Sequence, residues 1–306
     1  MVRVLLRVVL IALFLSALLA AAVGWMAGPA FLHPLHRDLT PDLVRIAENT
    51  FDEIHAHCDE FDVRAPDGVT LRGWKVRPAQ PNSSWVVLFH GVADNRVGVL
   101  GQARMLLGAG YGVVMMDSRR HGDSGGTIAT YGWLERKDTS AVLDALESSE
   151  HPAHIFALGE SMGAGIALQS AGADPRIEAV VAEAPFANLT EAAYDYAGLR
   201  TFPWLGKTLF APGAWLMVYR GQRLAGFPAA EVSPEKSVAA RAFPVFLICD
   251  GADRALPCRH SEIIFKAARG PKEFWRVPGA IHTGAMGIQP EEFRDRVLSF
   301  FEKYRN

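Results

Sequence analysis

At 306 residues the chain is long enough to bury a full core, and one α/β domain with a small insertion is the architecture this length favours. A formal net charge of −2 and a pI near 6.6 leave no electrostatic case for nucleic acid as a partner. A hydrophobic share of 50% is high for a wholly water-soluble protein, and part of the excess lies at one end.

That end reads "MVRVLLRVVLIALFLSALLAAAVGWMAGPAF", in which residues 8–26 carry no charge and follow Arg3 and Arg7. About 20 apolar residues suffice to cross a bilayer as a helix. A secretory signal has the same basic start, and "ALLAAAVG" offers a small-residue cleavage site. The uninterrupted length and Trp25 at the interface favour a retained single-pass anchor over residues 1–30, with secretion after cleavage as the alternative. A buried helix of the soluble fold is disfavoured because no face is polar. With Arg3 and Arg7 on the cytoplasmic side, the catalytic body is expected on the other side.

Residues 31–60 read as a linker with one short helix, "TPDLVRIAEN", capped by Thr40 with Pro41 in its first turn. "FDVRAPDGVTLRGWKVRP" alternates on both sides of Asp67-Gly68, a hairpin signal. From Trp85 onward apolar runs alternate with helical stretches. "WVVLFH", "GVVMMD", "IFALG" and "IEAVVAEA" are predicted strands; helices are predicted near residues 98–108, 135–148 and after Ser161. "FPVFLICD" and "EFWRVPG" are further strands around a helix near 259–268, and a last helix begins near Pro290. This pattern predicts a mostly parallel central sheet with helices on both faces. Two core parts, 61–185 and 243–306, flank residues 186–242. That segment has no clear strand and many aromatics, and a structureless stretch of this length is improbable, so it is expected to form a helical lid.

Gly159-Glu160-Ser161-Met162-Gly163 is a G-x-S-x-G pentapeptide between a predicted strand and a predicted helix. A nucleophile elbow strains the backbone at the serine, and flanking side chains would collide with neighbouring strand and helix. The hydroxyl then stands at a helix N-terminus, whose dipole favours negative charge. A serine needs a base, and the base an orienting carboxylate. "FPVFLICDGADRALP" supplies Asp250 at a strand end and Asp253 in the loop beyond; "EFWRVPGAIHTGAM" supplies His282. Asp253 has the room to reach an imidazole, whereas Asp250, next to Gly251, is expected to shape the turn. The oxyanion donors are expected from the N–H of Met162, directly after the serine, and of Val92, in the loop after "VVLFHG". His90 is expected to close its strand and brace that loop.

The order of "LFHGVADN", "DSRRHGDSGG", "GESMG", "DGADRALP" and "GAIHT" resembles the α/β-hydrolase superfamily, most closely its bem46-like, or serine aminopeptidase S33-type, membrane-linked branch. The resemblance implies an α/β-hydrolase fold, Ser161 as nucleophile, His282 as base and Asp253 as acid, with Val92 and Met162 at the oxyanion hole. It departs from the family pattern where Arg120 replaces a glycine in "DSRRHGDS", and where Asp250 stands in place of a frequent histidine. The expected activity is ester hydrolysis, with small-molecule or lipid esters as substrates. A thioesterase or peptidase with the same triad, or a silent membrane-tethered binding protein, are the alternatives. No metal or organic cofactor is required. Protein partners are not indicated.

Other polar residues read as structural. Asp117, Arg119 and Asp123 are expected in a buried turn network, and His121, His151, His154 and His260 as surface or loop histidines. "HAHC" (residues 55–58) is too compact for a tetrahedral metal site and reads as a polar helix end. Cys249 and Cys258 can pair if the loop between them folds back; free thiols are the expected state, as for Cys58.

Overall fold

The continuous apolar runs become strands because a parallel strand covered on both faces can be apolar at every position. A computed structural model describes residues 1–198 and 202–305. Helix α1 (Val2–Leu32) leads to α2 (Pro41–Glu53), strand β1 (His57–Glu60), the short β2 (Val63–Arg64) and β3 (Thr70–Leu71), and β4 (Gly73–Arg77). Strands and helices then alternate: β5 (Ser84–Phe89), α3 (Leu100–Gly108), β6 (Gly112–Met116), α4 (Glu135–Glu150), β7 (His154–Glu160), α5 (Met162–Ala173) and β8 (Ile177–Glu183). Helices α6 (Leu189–Ala197), α7 (Pro203–Gly206), α8 (Ala211–Ala225) and α9 (Pro234–Ala240) intervene before β9 (Val245–Asp250). The chain closes with α10 (Arg259–Ala267), β10 (Lys272–Val277), α11 (Ala285–Ile288) and α12 (Pro290–Lys303).

The main sheet has the order β1-β4-β6-β5-β7-β8-β9-β10. β4 runs antiparallel to both β1 and β6, while β6, β5, β7, β8, β9 and β10 are mutually parallel. Period-two alternation divides each strand between two cores. Trp85, Val87 and Phe89 of β5 pack with the layer of α4, α5 and α10, whereas Val86 and Leu88 pack with Phe51, Leu106 and Phe301 on the opposite face.

Local signals are realised at several turns. Thr40 Oγ1 accepts the Leu43 N–H at 3.4 Å, capping α2. Gly68 sits at φ +87° and its N–H reaches the Ala65 carbonyl at 2.9 Å, closing the β2–β3 hairpin. Residues 57 and 58 depart from the sequence reading: they lie in edge strand β1, paired with Arg77 and Val76, because α2 ends at Glu53. Arg120 adopts φ +70°, the left-handed conformation that the family's glycine would take without strain.

α1 is long and apolar enough to cross a membrane, and none of its most apolar eighteen-residue stretch is buried in the protein. Its C-terminal half packs on α8 through small residues. A Cβ at Gly24 would run into the Gly213 carbonyl, and one at Gly28 into the Arg220 side chain. This G-x-x-x-G spacing lets two helix backbones approach closely. Beyond it, Leu32 joins a third apolar cluster with Phe186, Leu189, Ala214 and Val218, so the end of α1 and the helices after β8 share one small core. α9 instead lies over the sheet, with Val238 packed in the α5 and α10 layer.

Candidate active site

β7 delivers Ser161 and α5 begins at Met162, so the serine occupies the corner between them. Its backbone has φ +53° and ψ −116°, held in place by the Ser161 N–H donating to the Glu183 carbonyl of β8 at 2.9 Å. The corner closes only because both flanking residues lack side chains. A Cβ at Gly163 would meet the Phe89 carbonyl, and one at Gly159 would meet the backbone of Gly163. Gly163→Ala is therefore expected to cost about 3 kcal/mol or more, because rigid backbone rather than a yielding side chain must move. Denaturant unfolding of wild type and variant measures this, and an unchanged midpoint would refute it.

The structure brings three sequence-selected residues into one hydrogen-bonded chain. Ser161 Oγ lies 2.8 Å from His282 Nε2, and His282 Nδ1 lies 2.6 Å from Asp253 Oδ2. Asp253 Oδ1 accepts the backbone N–H groups of Ala255 at 2.7 Å and Leu256 at 3.1 Å. An ionised carboxylate only accepts, so the imidazole proton belongs on Nδ1 and the Nε2 lone pair faces the serine. The Asp253 side chain is fully buried, while that of His282 is 29% exposed and open to incoming water. Val92 and Met162 line a cavity of about 300 Å³ that includes Ser161. Met162 opens α5, and first-turn N–H groups have no partner inside their own helix. His90 is fully buried, its Nδ1 at 2.7 Å from the Gly91 carbonyl and its Nε2 accepting the Ser118 N–H at 3.0 Å. It ties the β5 loop to the β6 loop, away from the serine.

A residue the sequence reading passed over stands beneath the histidine loop. Glu183, at the end of β8, accepts the Ala285 N–H on Oε1 at 2.9 Å; Asp250 accepts the Thr283 N–H on Oδ2 at 2.7 Å. The two acids thus hold both sides of His282, and burial, with the charge of Asp250, raises the proton affinity of Glu183. Glu183 Oε2 and Asp250 Oδ1 are buried and make no hydrogen bond among the described residues. A proton held by the pair would relieve both. Burial, then the neighbouring carboxylate, raises Glu183 well above the ordinary carboxylate range. Asp250 is pushed up to about 6, by burial first and Asp253 next, with the Thr283 N–H and His282 opposing. The only sequence signal was an acid closing an apolar run.

Acids raised in the folded state hold their proton more tightly than in the unfolded chain, so their effect on stability is absent at low pH. The folded protein loses stability as pH rises from the unfolded value of about 4 through the raised values. Glu183→Gln is expected to flatten the decline in melting temperature between pH 5 and 8, since an amide donates to Asp250 without titrating. An unchanged slope would show that the pair holds no shared proton. Glu160, pushed up to about 7 by burial and then by Asp94, titrates nearby; it accepts from Gln102 Nε2 at 3.2 Å and remains in the variant.

Four sequence expectations need correction. Cys249 and Cys258 form a disulfide, with Cα atoms 5.2 Å apart, because the turn after β9 folds back to place Cys258 at the start of α10. The bridge closes the loop that carries Asp253. His260 is fully buried, Nδ1 accepting the Ala187 N–H and Nε2 at 2.7 Å from Asp195, tying α10 to α6. His121 is also buried, ring to ring with His90 at 5.3 Å. Neither burial was legible because the partners are distant in sequence. Asp117 accepts the Arg96 N–H and guanidinium and Arg119 pairs with Asp138, both pairs buried beside the β6 turn, whereas Asp123, expected buried there, pairs with Arg96 from a half-exposed position, as Asp67 does with Arg119.

The family model of serine aminopeptidases, S33, matches residues 80–218. The chain is 30% identical over 248 residues to the uncharacterized protein YqkD of Bacillus subtilis (strain 168), covering 79% of this chain and 78% of that one. It is 30% identical over 239 residues to the uncharacterized protein Rv2307c of Mycobacterium tuberculosis (strain ATCC 25618 / H37Rv), covering 77% and 74%. Among solved structures, the Pyrococcus furiosus esterase Pf2001 superposes with a TM-score of 0.71 at 21% identity, over 90% of this chain and all of that one. The acetyl xylan esterase from Paenibacillus sp. R4 superposes at 0.63 and 18%, over 91% and 99%. At those identities the structures speak for the fold alone. Sheet order, serine corner and sequence relatives agree, and the chain belongs to the α/β-hydrolase superfamily.

Proposed function

We propose that the protein is a membrane-anchored serine hydrolase that cleaves carboxylic esters. The observation that carries this reading is the unbroken Asp253–His282–Ser161 hydrogen-bond chain, whose serine lines an apolar cavity. Ser161 Oγ attacks the ester carbonyl carbon while its proton passes to His282 Nε2. Asp253 holds the Nδ1 proton and stabilises the imidazolium. The N–H groups of Met162 and Val92 receive the oxyanion, an interaction strongest as charge develops. Collapse breaks the carbonyl–alkoxy bond, and His282 returns its proton to the departing alkoxide. Water, deprotonated by the same histidine, then attacks the acyl carbon; the carbonyl–Oγ bond breaks, His282 returns the proton to Ser161 Oγ and the acid leaves.

Esters are favoured over aminopeptides by the cavity. Its lining, including Phe31, Val92, Phe186, Leu189, Met217 and Leu256, contains no acidic side chain among the described residues to hold a peptide's terminal ammonium. Within the segment 186–242 read as the lid, α6 and α8 are the helices that border the cavity at Ser161 and serve as its cover. α1 is the anchor, with Arg3 and Arg7 on the cytoplasmic side; the Cys249–Cys258 bridge supports an oxidising location for the catalytic body. Fluorophosphonate labelling of the full chain, with rates on matched acyl ester, thioester and aminoacyl amide substrates, tests the reading. Failure of a well-folded sample to label would favour a silent binding protein. Faster turnover of amide or thioester would replace the esterase assignment.

A further inference from the structure

A second cavity adjoins the one at Ser161. Ala193, Tyr196 and Met217 line the Ser161 cavity and also line the second, of about 570 Å³. The far wall of this second space is α1 itself, through Ser16, Leu19, Ala20, Val23, Gly24 and Ala27. Phe31, one turn further along the same helix, lines the Ser161 cavity. Positions 16, 20, 23 or 24, 27 and 31 recur at helical spacing, so one stripe of α1 borders both spaces over about 22 Å. The end of the stripe is fixed to the body: Tyr131 Oη donates to the Phe31 carbonyl at 2.7 Å, and their rings stack at 5.0 Å.

The depth of the second cavity follows from the aromatic and cationic residues beside it. Trp25 lies under the Arg220 guanidinium at 4.8 Å, and Arg220 donates to its carbonyl, a pairing suited to the headgroup level. Trp215 and Tyr219, on the same helix as Arg220, are exposed and stacked at 5.1 Å. Ser16 lies nine residues to the membrane side of Trp25, about 13 Å along the helix, which is about the depth of one hydrocarbon leaflet. The partition between the two spaces includes Met217, an unbranched side chain that repacks readily.

We propose that α1 is a wall of the substrate site and that the substrate is a long-chain lipid ester taken laterally from the bilayer. Its acyl chain lies between α1 and α6–α8 and its ester group reaches Ser161. This rests on the serine-hydrolase reading and adds the substrate class and the route.

The test uses full-length protein in mixed micelles with para-nitrophenyl butyrate and para-nitrophenyl palmitate. Val23→Trp fills the second cavity from α1, and Leu209→Trp fills it from the opposite wall, so a packing fault in one helix does not imitate a blocked cavity. Leu13→Trp, on an exposed position of α1 outside the cavity, is the control. Each cavity variant is expected to lower kcat/KM for palmitate by about tenfold or more while butyrate stays within about twofold, and the control to change neither. Palmitate turnover unaffected by either cavity variant, or loss of both substrates in both of them, overturns the route. Absence of butyrate turnover in the wild type would instead end the hydrolase reading on which it rests.

Discussion

Ser161→Ala is expected to abolish fluorophosphonate labelling and to lower kcat on esters by at least about 10⁴-fold. In the proposed mechanism this hydroxyl forms the acyl-enzyme, and alanine leaves His282 and Asp253 bonded to each other but without that nucleophile to activate. The cavity and the proposed oxyanion donors are untouched, so KM should move little. Ser161→Gly separates catalysis from strain. At φ +53° any Cβ is disfavoured, and glycine removes that cost, of order 1–3 kcal/mol, while also lacking the nucleophile. The glycine variant should therefore melt above the wild type and remain inactive. Labelling that survives in Ser161→Ala would end the assignment, whatever the melting temperatures.

Asp253→Asn is expected to lower kcat by about 10⁴-fold with the fold intact. The reason lies in the two backbone N–H groups of Ala255 and Leu256 that point at Oδ1. They keep the amide oxygen of asparagine at that position and turn its NH₂ toward His282 Nδ1. That nitrogen must then accept, the ring proton moves to Nε2, and the lone pair that would take the Ser161 proton is lost. Asp250→Asn provides the contrast. Its amide oxygen still accepts from Thr283, so the histidine loop stays bound and the loss should be far smaller. Steady-state kinetics on one ester decide between them. A severe defect in Asp250→Asn with a mild one in Asp253→Asn would reverse the roles of the two acids.

Much of this was legible because its causes are local. A strand buried on both faces needs an apolar run wherever it occurs, so β5 to β9 could be read one at a time. Thr40-Pro41 and Asp67-Gly68 specify a cap and a turn within a few residues. The serine corner is legible for the same reason: only glycines on either side of Ser161 leave room for the backbone there. What the sequence by itself determined is therefore the alternation of strand and helix, the elbow, and an acid and a histidine after late strands.

The tertiary structure alone decided how distant segments meet. Nothing near Glu183 or Asp250 announces that their carboxyls face each other below the histidine loop, since that depends on β8 and β9 being neighbours. The Cys249–Cys258 bridge depends on the path of one turn, and the burial of His260 on where α6 lands. Composition revealed that α1 is apolar, but not that its small-residue stripe packs on α8 and borders a cavity adjoining the one at Ser161. Local sterics select the elements; which of them share a cavity is set by long-range packing, and no stretch of contiguous residues encodes that.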